Sequence, residues 1–426
     1  MDRLIMSGRQ PLSGEIEISG AKNSALKLMV ACLLTPEPIT LRRMPNLADT
    51  RFLSQLLGSL GVDVYWPKGS DVCRFDGSEI TSTIAPYEQV RKMRASFNVL
   101  GPLLARMGHA TVSLPGGCAI GARPVDLHLK AFEKMGADLK IEEGYVKAAA
   151  IHGLKGAHIS MAFPSVGATE HTMLAATLAK GDTIIENAAR EPEIADLADC
   201  LNKMGAKISG AGTSRIEITG VDSLGGAKHD VMGDRIEAGT YAMVAGATGG
   251  DVTLVGAPTD ALGAAIERLR ETGLTIDVDG DRLRIRRDPS TRLKAVSVDT
   301  QPHPGFPTDL QAQFMALMAT ADGTSIIRET IFENRFMHAP ELSRLGADIK
   351  VRGQEAVVSG VESLKGAPVM ATDLRASVSL VIAGLVAHGE TEINRIYHLD
   401  RGFERLEEKL SGCGANIKRV QAEEVM

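Results

Sequence analysis

A cysteine in a glycine-rich loop is the clearest candidate for chemistry in this chain of 426 residues. Cys118 stands in the segment LPGGCAIGARP, residues 114–124, which also contains Arg123. Glycines on both sides let a loop move and let backbone N–H groups approach a ligand. A neighbouring cation lowers the pKa of a thiol, so this cysteine could act as an acid or as a nucleophile. Because structural cysteines are usually buried, we favour a functional Cys118 over an inert thiol in a plain loop.

Three cationic residues occupy an unusual place, at the start of an apolar helix. They are Lys22, Arg94 and Arg375. The helix macrodipole already makes this end positive, so a cation there is disfavoured unless another charge compensates it. Several cations that converge on a bound anion would account for the pattern. We therefore interpret these three residues as candidate anion-binding groups.

Small polar residues stand at the start of other apolar helices, and their meaning is less clear. Ser165, Thr308, Asp309 and Asp373 could be functional, or they could be helix caps and nothing more. Arg401 lies between acidic neighbours in the sequence, so a solvated ion pair would explain it equally well. The residues alone leave both interpretations open.

A repeated unit explains why these positions can be compared with one another. A short helix end that runs into a strand recurs about every 70 residues, which is longer than the usual solenoid periods. The six copies read LGVDV, MGADL, MGAKI, TGLTI, LGADI and CGANI, and they begin at residues 60, 135, 204, 272, 345 and 413. Each copy therefore marks a sizeable α/β piece, and charged residues that differ between copies are candidates for function.

The pattern within each copy predicts the fold. Each reads as a strand, an apolar helix, a strand, an amphipathic helix and two strands around a turn, that is, a βαβαββ unit. Helices that are apolar on most faces should be buried inside a wall of sheets. The sequence therefore predicts an inside-out α/β barrel in each of two domains, with three units per domain and a junction near residues 231–233. Composition does not place residues 2–19 in either domain.

Composition narrows the function classes. The formal net charge of -6 argues against a general binder of DNA or membrane surfaces, and an aromatic content of 4% argues against stacking platforms for single-stranded nucleic acid. Five scattered cysteines and ten scattered histidines show neither a disulfide framework nor a metal motif. The longest apolar run, residues 378–387, is too short to span a bilayer. We expect a cytoplasmic protein without metal or cofactor.

Long motifs then give the chain a family likeness, and it resembles the enolpyruvyl transferases over essentially its whole length. The motifs are SGAKNSAL (19–26), MRAS (93–96), LPGGCAIGARPVDLH (114–128), SVGAT (165–169), ENAAREPEI (186–194), FPTDLQAQF (306–314), IFENRFMH (331–338), ATDLRAS (371–377) and YHLDRG (397–402). They contain the divergent positions described above. Their number and order make the resemblance specific.

The resemblance implies a reaction and a domain arrangement. The enolpyruvyl group of phosphoenolpyruvate would be transferred to the 3-hydroxyl of UDP-N-acetylglucosamine with release of phosphate, the first committed step of peptidoglycan synthesis. The first strand would join the C-terminal domain, which gives domains of residues 22–232 and of residues 1–21 with 233–426. The active site would lie in the cleft between them. The partners would be these two small molecules, with no nucleic acid and no membrane, and the chain would be a monomer or a weak homo-oligomer.

The resemblance also implies roles for residues that match its motifs. Cys118 would protonate or trap the enolpyruvyl carbon and be alkylated by fosfomycin, and Asp309 would take the proton of the sugar hydroxyl. The groups implied to hold phosphoenolpyruvate, the sugar and the intermediate are Lys22, Asn23, Arg94, Arg123, Ile331 and Arg401. Those implied for uridine and diphosphate are Arg123, Pro124, Val125, Asp126, Leu127, Ser165, Val166 and Gly167. Asp373 and Arg375 would support the site around Lys22 and Arg401.

Three alternatives stay open. A 5-enolpyruvylshikimate-3-phosphate synthase would share the fold and the donor, but the Cys118 loop and the RPVDL segment argue against it. A UDP-sugar sensor without catalysis is disfavoured by the intact Cys118, Asp309 and Lys22. A thiol redox protein built on Cys118 lacks a resolving cysteine in the sequence.

Overall fold

The computed structural model describes residues 2–116 and 125–421. The described chain divides into two compact units: residues 20–116 with 125–232, and residues 2–19 with 233–421. We call them the first and the second unit. Within the described ranges, no helix is both long and apolar enough to cross a membrane.

The described strands of each unit form three sheets of one design. In every sheet an edge strand runs parallel to its neighbour, and the remaining neighbours are antiparallel. The sheets of the first unit, in spatial order, are Ala227–Asp230, Ile39–Arg42, Cys73–Asp76, Asp63–Tyr65; Ile84–Ala85, His109–Ser113, Tyr145–Ala149, Asp138–Glu142; and His158–Ser160, Asp182–Glu186, Arg215–Thr219, Lys207–Ser209. Those of the second unit are Leu12–Glu17, Gly250–Val255, Arg282–Arg287, Thr275–Asp279; Val298–Asp299, Thr324–Arg328, Glu355–Ser359, Asp348–Arg352; and Pro368–Met370, Glu390–Asn394, Arg3–Ser7, Asn416–Val420.

The sheets follow from local sequence. Strands Asp138–Glu142 and Tyr145–Ala149 are joined through Glu143 and Gly144, whose φ angles of 52° and 80° suit the tight turn of a hairpin. Along Tyr145–Ala149 the residues alternate between buried and more exposed, with Val146 and Ala148 buried. One face of the hairpin therefore packs inward and the other meets solvent.

An apolar helix lies inside each repeat. These segments are Lys22–Val30 with the 3-10 turn Ala31–Leu34; the 3-10 helix Arg94–Val99 with Leu100–Met107; Val166–Ala176; Arg235–Thr248; the 3-10 turn Thr308–Leu310 with Gln311–Met318; and Leu374–Val386. Every residue of Arg235–Thr248 is buried. The outer helices are Ala48–Ser59, Asp126–Lys134, Pro192–Lys203, Gly263–Glu271, Ala339–Arg344 and Leu406–Gly412; shorter turns are Tyr87–Val90, Thr259–Leu262 and Ile396–Arg401.

The predicted fold class, with buried helices inside sheets and six related units, is confirmed. The segment that composition left unplaced adds two strands to the second unit. Arg3–Ser7 lies between Glu390–Asn394 and Asn416–Val420, and Leu12–Glu17 pairs with Gly250–Val255. Ala227–Asp230 takes the equivalent edge position beside Ile39–Arg42 in the first unit. In each unit a strand distant in sequence thus completes the sheet of its first repeat.

An ion pair lies in the core of the first unit. Lys27 of helix Lys22–Val30 donates to Glu170 of helix Val166–Ala176, and both side chains are almost fully buried. Burial raises the pKa of Glu170, and the Lys27 ammonium opposes that rise. Because a charge left alone in a core is costly, these two helices depend on each other for this contact.

This pair gives a stability prediction. Lys27→Met should lower the free energy of unfolding by about 3–5 kcal/mol, because it strands the Glu170 carboxyl in the core. The double variant Lys27→Met with Glu170→Met should recover most of the loss, since apolar groups of similar size can replace a buried ion pair. Urea unfolding of the variants measures both values. A double variant as unstable as the single one would contradict this explanation.

Candidate active site

The first candidate cation has a partner within its own unit. Lys22 begins its helix, and its Nζ lies 2.7 Å from Oδ2 of Asp49. Asp49 stands in the first turn of helix Ala48–Ser59, where a carboxylate is favoured, and both side chains are more than nine-tenths buried. This carboxylate compensates the charge that makes a cation unfavourable at a helix start. Sequence reasoning missed Asp49, because nothing local distinguishes it from an ordinary first-turn acid.

The neighbours of Lys22 hold its helix turn in place. The Ser24 hydroxyl donates a hydrogen bond to Asp196. His229 Nε2 lies 2.8 Å from the other oxygen of this carboxylate and donates to it in the tautomer protonated at Nε2. Asn23 remains half-buried between these anchored residues. Arg94 opens the next apolar segment and is also half-buried. The predicted residues Lys22, Asn23 and Arg94 therefore lie at helix starts, as expected.

The described parts of the two segments predicted to hold the nucleotide, residues 125–127 and 165–167, lie at the starts of two helices of the first unit. Ser165 caps helix Val166–Ala176 by accepting from the backbone N–H of Ala168 at 3.4 Å. Asp126 begins helix Asp126–Lys134, preceded by Val125 and followed by Leu127. His128 connects the two segments: a Cβ added to Gly167 would lie 3.4 Å from Cε1 of His128. The structure thus brings the start of one helix against the start of the other.

Asp309 is the centre of a charged cluster in the second unit. Its Oδ1 lies 2.7 Å from Nη2 of Arg335, and its Oδ2 lies 3.1 Å from Nη2 of Arg375. Both arginine side chains are more than nine-tenths buried, whereas the Asp309 side chain is 25% exposed. Burial opposes ionisation of Asp309, but Arg375 and Arg335 outweigh it and hold the pKa of this carboxyl well below its usual range. Asp309 is therefore an ionised carboxylate that two arginines hold in place and that is still partly exposed to solvent.

A second carboxylate organises the loops on either side of Asp309. Glu329, which is buried, accepts from Thr308 Oγ1 at 2.8 Å and from the backbone N–H of Ile331 at 2.9 Å. Arg335 also donates to Thr308 Oγ1 at 3.0 Å. One buried side chain thus joins Ile331 to Thr308, the residue before Asp309. The sequence assigns no role to Glu329 or Arg335. Both bond to Thr308, which lies 21 positions before Glu329 and 27 positions before Arg335, so no local pattern reveals the contact.

The remaining candidates of the second unit have mixed roles. Asp373 is a helix cap: its Oδ1 accepts from the backbone N–H groups of Arg375 and Ala376 at 2.8 and 3.0 Å. Capping and support of the site are compatible, because the same turn presents Arg375 to Asp309. Arg401 is half-buried in the 3-10 helix Ile396–Arg401. Burial lowers the pKa of His398, and the Arg401 charge lowers it further.

The cysteine predictions divide in two. Cys118, Arg123 and Pro124 lie outside the described residues, so their roles stay predictions. The other four cysteines, Cys32, Cys73, Cys200 and Cys413, are buried free thiols. Burial raises the pKa of each of them, to about 12 for Cys73 and for Cys200. Thiols with raised pKa values are poor nucleophiles, which agrees with giving these four no chemical role.

Comparison with known proteins identifies the family. The sequence profile of the family described as EPSP synthase (3-phosphoshikimate 1-carboxyvinyltransferase) matches residues 6–410. The chain belongs to the enolpyruvyl transferase family. It is 75% identical to the UDP-N-acetylglucosamine 1-carboxyvinyltransferase of Hyphomonas neptunium, with all of both chains covered. Identity to the protein of that name from Maricaulis maris is 64%, with 99% of each chain covered.

Solved structures support the same family assignment. The enolpyruvyl transferase NikO from Streptomyces tendae superposes with a TM-score of 0.88 at 25% identity, with 99% of each chain covered. EPSP synthase from Acinetobacter baumannii has a TM-score of 0.75 at 19% identity, covering 99% of this chain and all of its own. At that identity the second match speaks for the fold alone. The family predicted from the motifs is confirmed.

The depressed pKa of Asp309 predicts a pH-dependent contribution to stability. A group whose pKa is lower in the folded than in the unfolded chain stabilises the fold above its unfolded pKa, and that contribution is lost as the pH falls towards the folded value. Asp309→Asn should therefore cost about 3 kcal/mol at pH 7, and the cost should shrink below about pH 4. Urea unfolding of both proteins at several pH values measures the difference.

A surface aspartate provides the control. The Asp322 side chain is 78% exposed, and its distance of 3.7 Å from Arg292 is long for an ion pair. Asp322→Asn should therefore change the free energy of unfolding by less than about 0.5 kcal/mol. A cost for Asp309→Asn that stays constant between pH 7 and pH 3 would show that the arginines do not stabilise its ionised form.

Proposed function

We propose that the chain transfers the enolpyruvyl group of phosphoenolpyruvate to the 3-hydroxyl of UDP-N-acetylglucosamine and releases phosphate. This is the first committed step of peptidoglycan synthesis. The observation that carries the proposal is Asp309, an ionised and partly exposed carboxylate between two buried arginines in a chain 75% identical to a carboxyvinyltransferase of that acceptor. The relatives' name supplies the acceptor, and the geometry supplies a group that can accept a proton.

The proposed reaction begins with an addition. The sugar hydroxyl attacks the substituted carbon of the enol, Asp309 takes the hydroxyl proton, and Cys118 donates a proton to the methylene carbon. Phosphate then leaves from the same carbon with the electron pair of its C–O bond, and the new methyl group returns a proton to the Cys118 thiolate, which restores the double bond. A carboxylate that accepts the hydroxyl proton must be ionised at neutral pH, and Arg335 and Arg375 keep Asp309 in that form. Their charges also make Asp309 a weaker base.

Cationic groups stabilise the intermediate in this proposal. The intermediate carries a phosphate, a carboxylate and a diphosphate, so preorganised positive charge lowers its energy. Lys22, Arg94, Arg123 and Arg401 would supply that charge, and Asn23 would bind the sugar. Asp49 holds the Lys22 ammonium in a fixed place, which reduces the cost of reorganisation during the reaction. Removal of one such stabilising group typically costs about 2.7–4 kcal/mol in activation free energy.

The wider setting of the proposal includes domains of residues 22–232 and of residues 1–21 with 233–426. It takes phosphoenolpyruvate and UDP-N-acetylglucosamine as the partners, without nucleic acid, membrane, metal or cofactor, and a monomer or weak homo-oligomer in the cytoplasm. The buried free thiols of Cys32, Cys73, Cys200 and Cys413 are compatible with a reducing compartment.

Phosphate release tests the proposed reaction directly. Purified protein with phosphoenolpyruvate should release phosphate when UDP-N-acetylglucosamine is added, and fosfomycin should abolish the release by alkylating Cys118. The same assay with shikimate 3-phosphate as acceptor should show no release. Release with the shikimate acceptor alone would favour the synthase described by the family profile. Binding of the nucleotide sugar without any release would favour a sensor.

A second experiment tests the role of Asp309. Asp309→Asn should reduce turnover by roughly 10²–10⁴-fold, because an amide cannot take the hydroxyl proton. UDP-N-acetylglucosamine should still bind, as measured by calorimetry. The surface variant Asp322→Asn should keep full turnover. Full residual activity in Asp309→Asn would contradict the role of this carboxylate as the base.

A further inference from the structure

A threonine hydroxyl next to the proposed base joins two charged side chains of the second unit. Thr308 directly precedes Asp309, and its Oγ1 lies 2.8 Å from Oε2 of Glu329 and 3.0 Å from Nη1 of Arg335. From sequence Thr308 could have been a helix cap, but Pro307 stands at the cap position of this 3-10 helix. The hydroxyl of Thr308 is therefore engaged by side chains from another part of the chain.

The chemistry of the partners fixes the direction of both hydrogen bonds. A guanidinium group carries donors only, so Arg335 donates to Oγ1 of Thr308. A carboxylate only accepts, so the single proton of the Thr308 hydroxyl goes to Glu329. The lone pair that receives Arg335 thus points away from Glu329, and the hydroxyl has one consistent orientation.

The sheet holds the acceptor of this proton in place. Glu329 is 1% exposed, and it directly follows strand Thr324–Arg328. Its backbone N–H donates to the carbonyl of Gln354 at 2.9 Å. Its Oε1 accepts from the hydroxyl of Thr300 and from the backbone N–H of Ile331, both at 2.9 Å. A carboxylate bound by donors from several segments has little freedom to move, so it gives the Thr308 hydroxyl a fixed direction.

Arg335 is anchored at two nitrogens by two successive residues. Its Nη1 donates to the Thr308 hydroxyl, and its Nη2 donates to Oδ1 of Asp309 at 2.7 Å. Two anchors on one planar fork define the plane of the guanidinium group as well as its distance. An ion pair alone would leave this plane free to turn about a single contact. The Thr308 hydroxyl therefore sets the orientation in which Arg335 meets Asp309.

This orientation matters because two arginines share the Asp309 carboxylate. Arg375 takes Oδ2 at 3.1 Å, while Arg335 takes Oδ1. An ionised carboxylate offers about four lone-pair sites, so each oxygen keeps capacity to accept a proton. The two arginines decide where that capacity points, and a misplacement of about 1 Å can slow a reaction by about 100-fold.

We propose that Thr308 is a positioning residue for the reaction: its hydroxyl, directed by Glu329, aims Arg335 at Asp309 and so sets the direction of the base towards the sugar hydroxyl. The inference rests on the proposed function for the role of Asp309. It adds to that function a residue that acts through Arg335 and does not touch the phosphoenolpyruvate. Ordinary packing of Thr308 would require its shape but not its hydroxyl.

Substitutions of Thr308 separate shape from hydroxyl. Thr308→Val keeps the shape and removes the hydroxyl, so turnover in the phosphate-release assay should fall roughly tenfold or more, as expected for one lost hydrogen bond to a charged group. Thr308→Ser keeps the hydroxyl and should stay within about threefold of wild type. Thr308→Ala also lacks the hydroxyl but leaves room for a water molecule beside Glu329, so it should show the same loss even if Thr308→Val does not fold.

A buried threonine elsewhere in the unit provides the matched control. Thr391 is fully buried in strand Glu390–Asn394, and its Oγ1 has no hydrogen-bond partner among the described residues. Thr391→Val should therefore keep full turnover. The KM for phosphoenolpyruvate should change by less than about twofold in every Thr308 variant, and thermal unfolding shows which variants are folded. Wild-type turnover in folded Thr308→Val and Thr308→Ala, or an equal loss in Thr308→Ser, would overturn the proposal.

A double-mutant cycle checks that Thr308 acts through Arg335. Arg335→Gln should lower turnover at least as much as Thr308→Val does, and the double variant should be no slower than Arg335→Gln alone. Fully additive losses would show that Thr308 acts by another route, and they would reject the proposed role.

The position of Arg335 can also be measured without any substrate. In crystal structures of wild type and Thr308→Ser, Nη2 of Arg335 should lie within about 3.2 Å of Oδ1 of Asp309, and in Thr308→Val the guanidinium group should leave this place. An unmoved Arg335 in Thr308→Val would overturn the inference even if that variant is slow. Conversely, a displaced Arg335 in a protein whose wild type releases no phosphate with either acceptor would support the positioning relation and reject the proposed function.

Discussion

The central constraint on this structure is that apolar helices begin in the protein interior. A helix that is buried on nearly every face cannot leave its first N–H groups without partners, and it cannot place an isolated charge there. Four of the six repeats meet one of these two requirements with a polar residue near the start of the helix. Ser165, Asp234 and Asp373 accept from the first turn, and Asp49 balances the cation of Lys22. The fold therefore collects polar groups at one position of these repeats.

The proposed chemistry uses this collection. Asp309 is the residue of its helix start that does not cap: its two oxygens are taken by Arg335 and Arg375. The same arginines would be costly to bury without a carboxylate, so stability and chemistry depend on one cluster. A carboxylate that two cations hold in place is preorganised. Because the Asp309 side chain is partly exposed, a substrate can still reach it.

The histidine pair shows the same principle in the first unit. The backbone N–H of Gly101, at the start of helix Leu100–Met107, donates to His171 Nε2, and His171 Nδ1 lies 2.9 Å from His128 Nδ1. Burial is the main cause that lowers the pKa of His171, and the Lys27 cation, which pairs with the adjacent Glu170, lowers it further. Interior polar groups of this unit are thus paired with one another across its helices.

The sequence by itself determined the elements and the family. Recurrent helix ends, apolar helices and hairpin turns are local patterns, so the six units could be predicted from residues close together in the chain, and the motifs carried Lys22, Asn23, Asp309 and Arg375 with them. Only the tertiary structure decided which side chains become partners. Nothing in the sequence distinguishes four of these residues from ordinary charged or helical residues: Asp49, Glu329, Arg335 and His171. A contact between distant positions leaves no local signal; the hydrogen bond between His128 and His171, for example, spans 43 positions. The placement of residues 2–19 was likewise decided by pairing with strands more than 200 residues away, since backbone hydrogen bonds in a sheet depend on proximity in space and not in sequence.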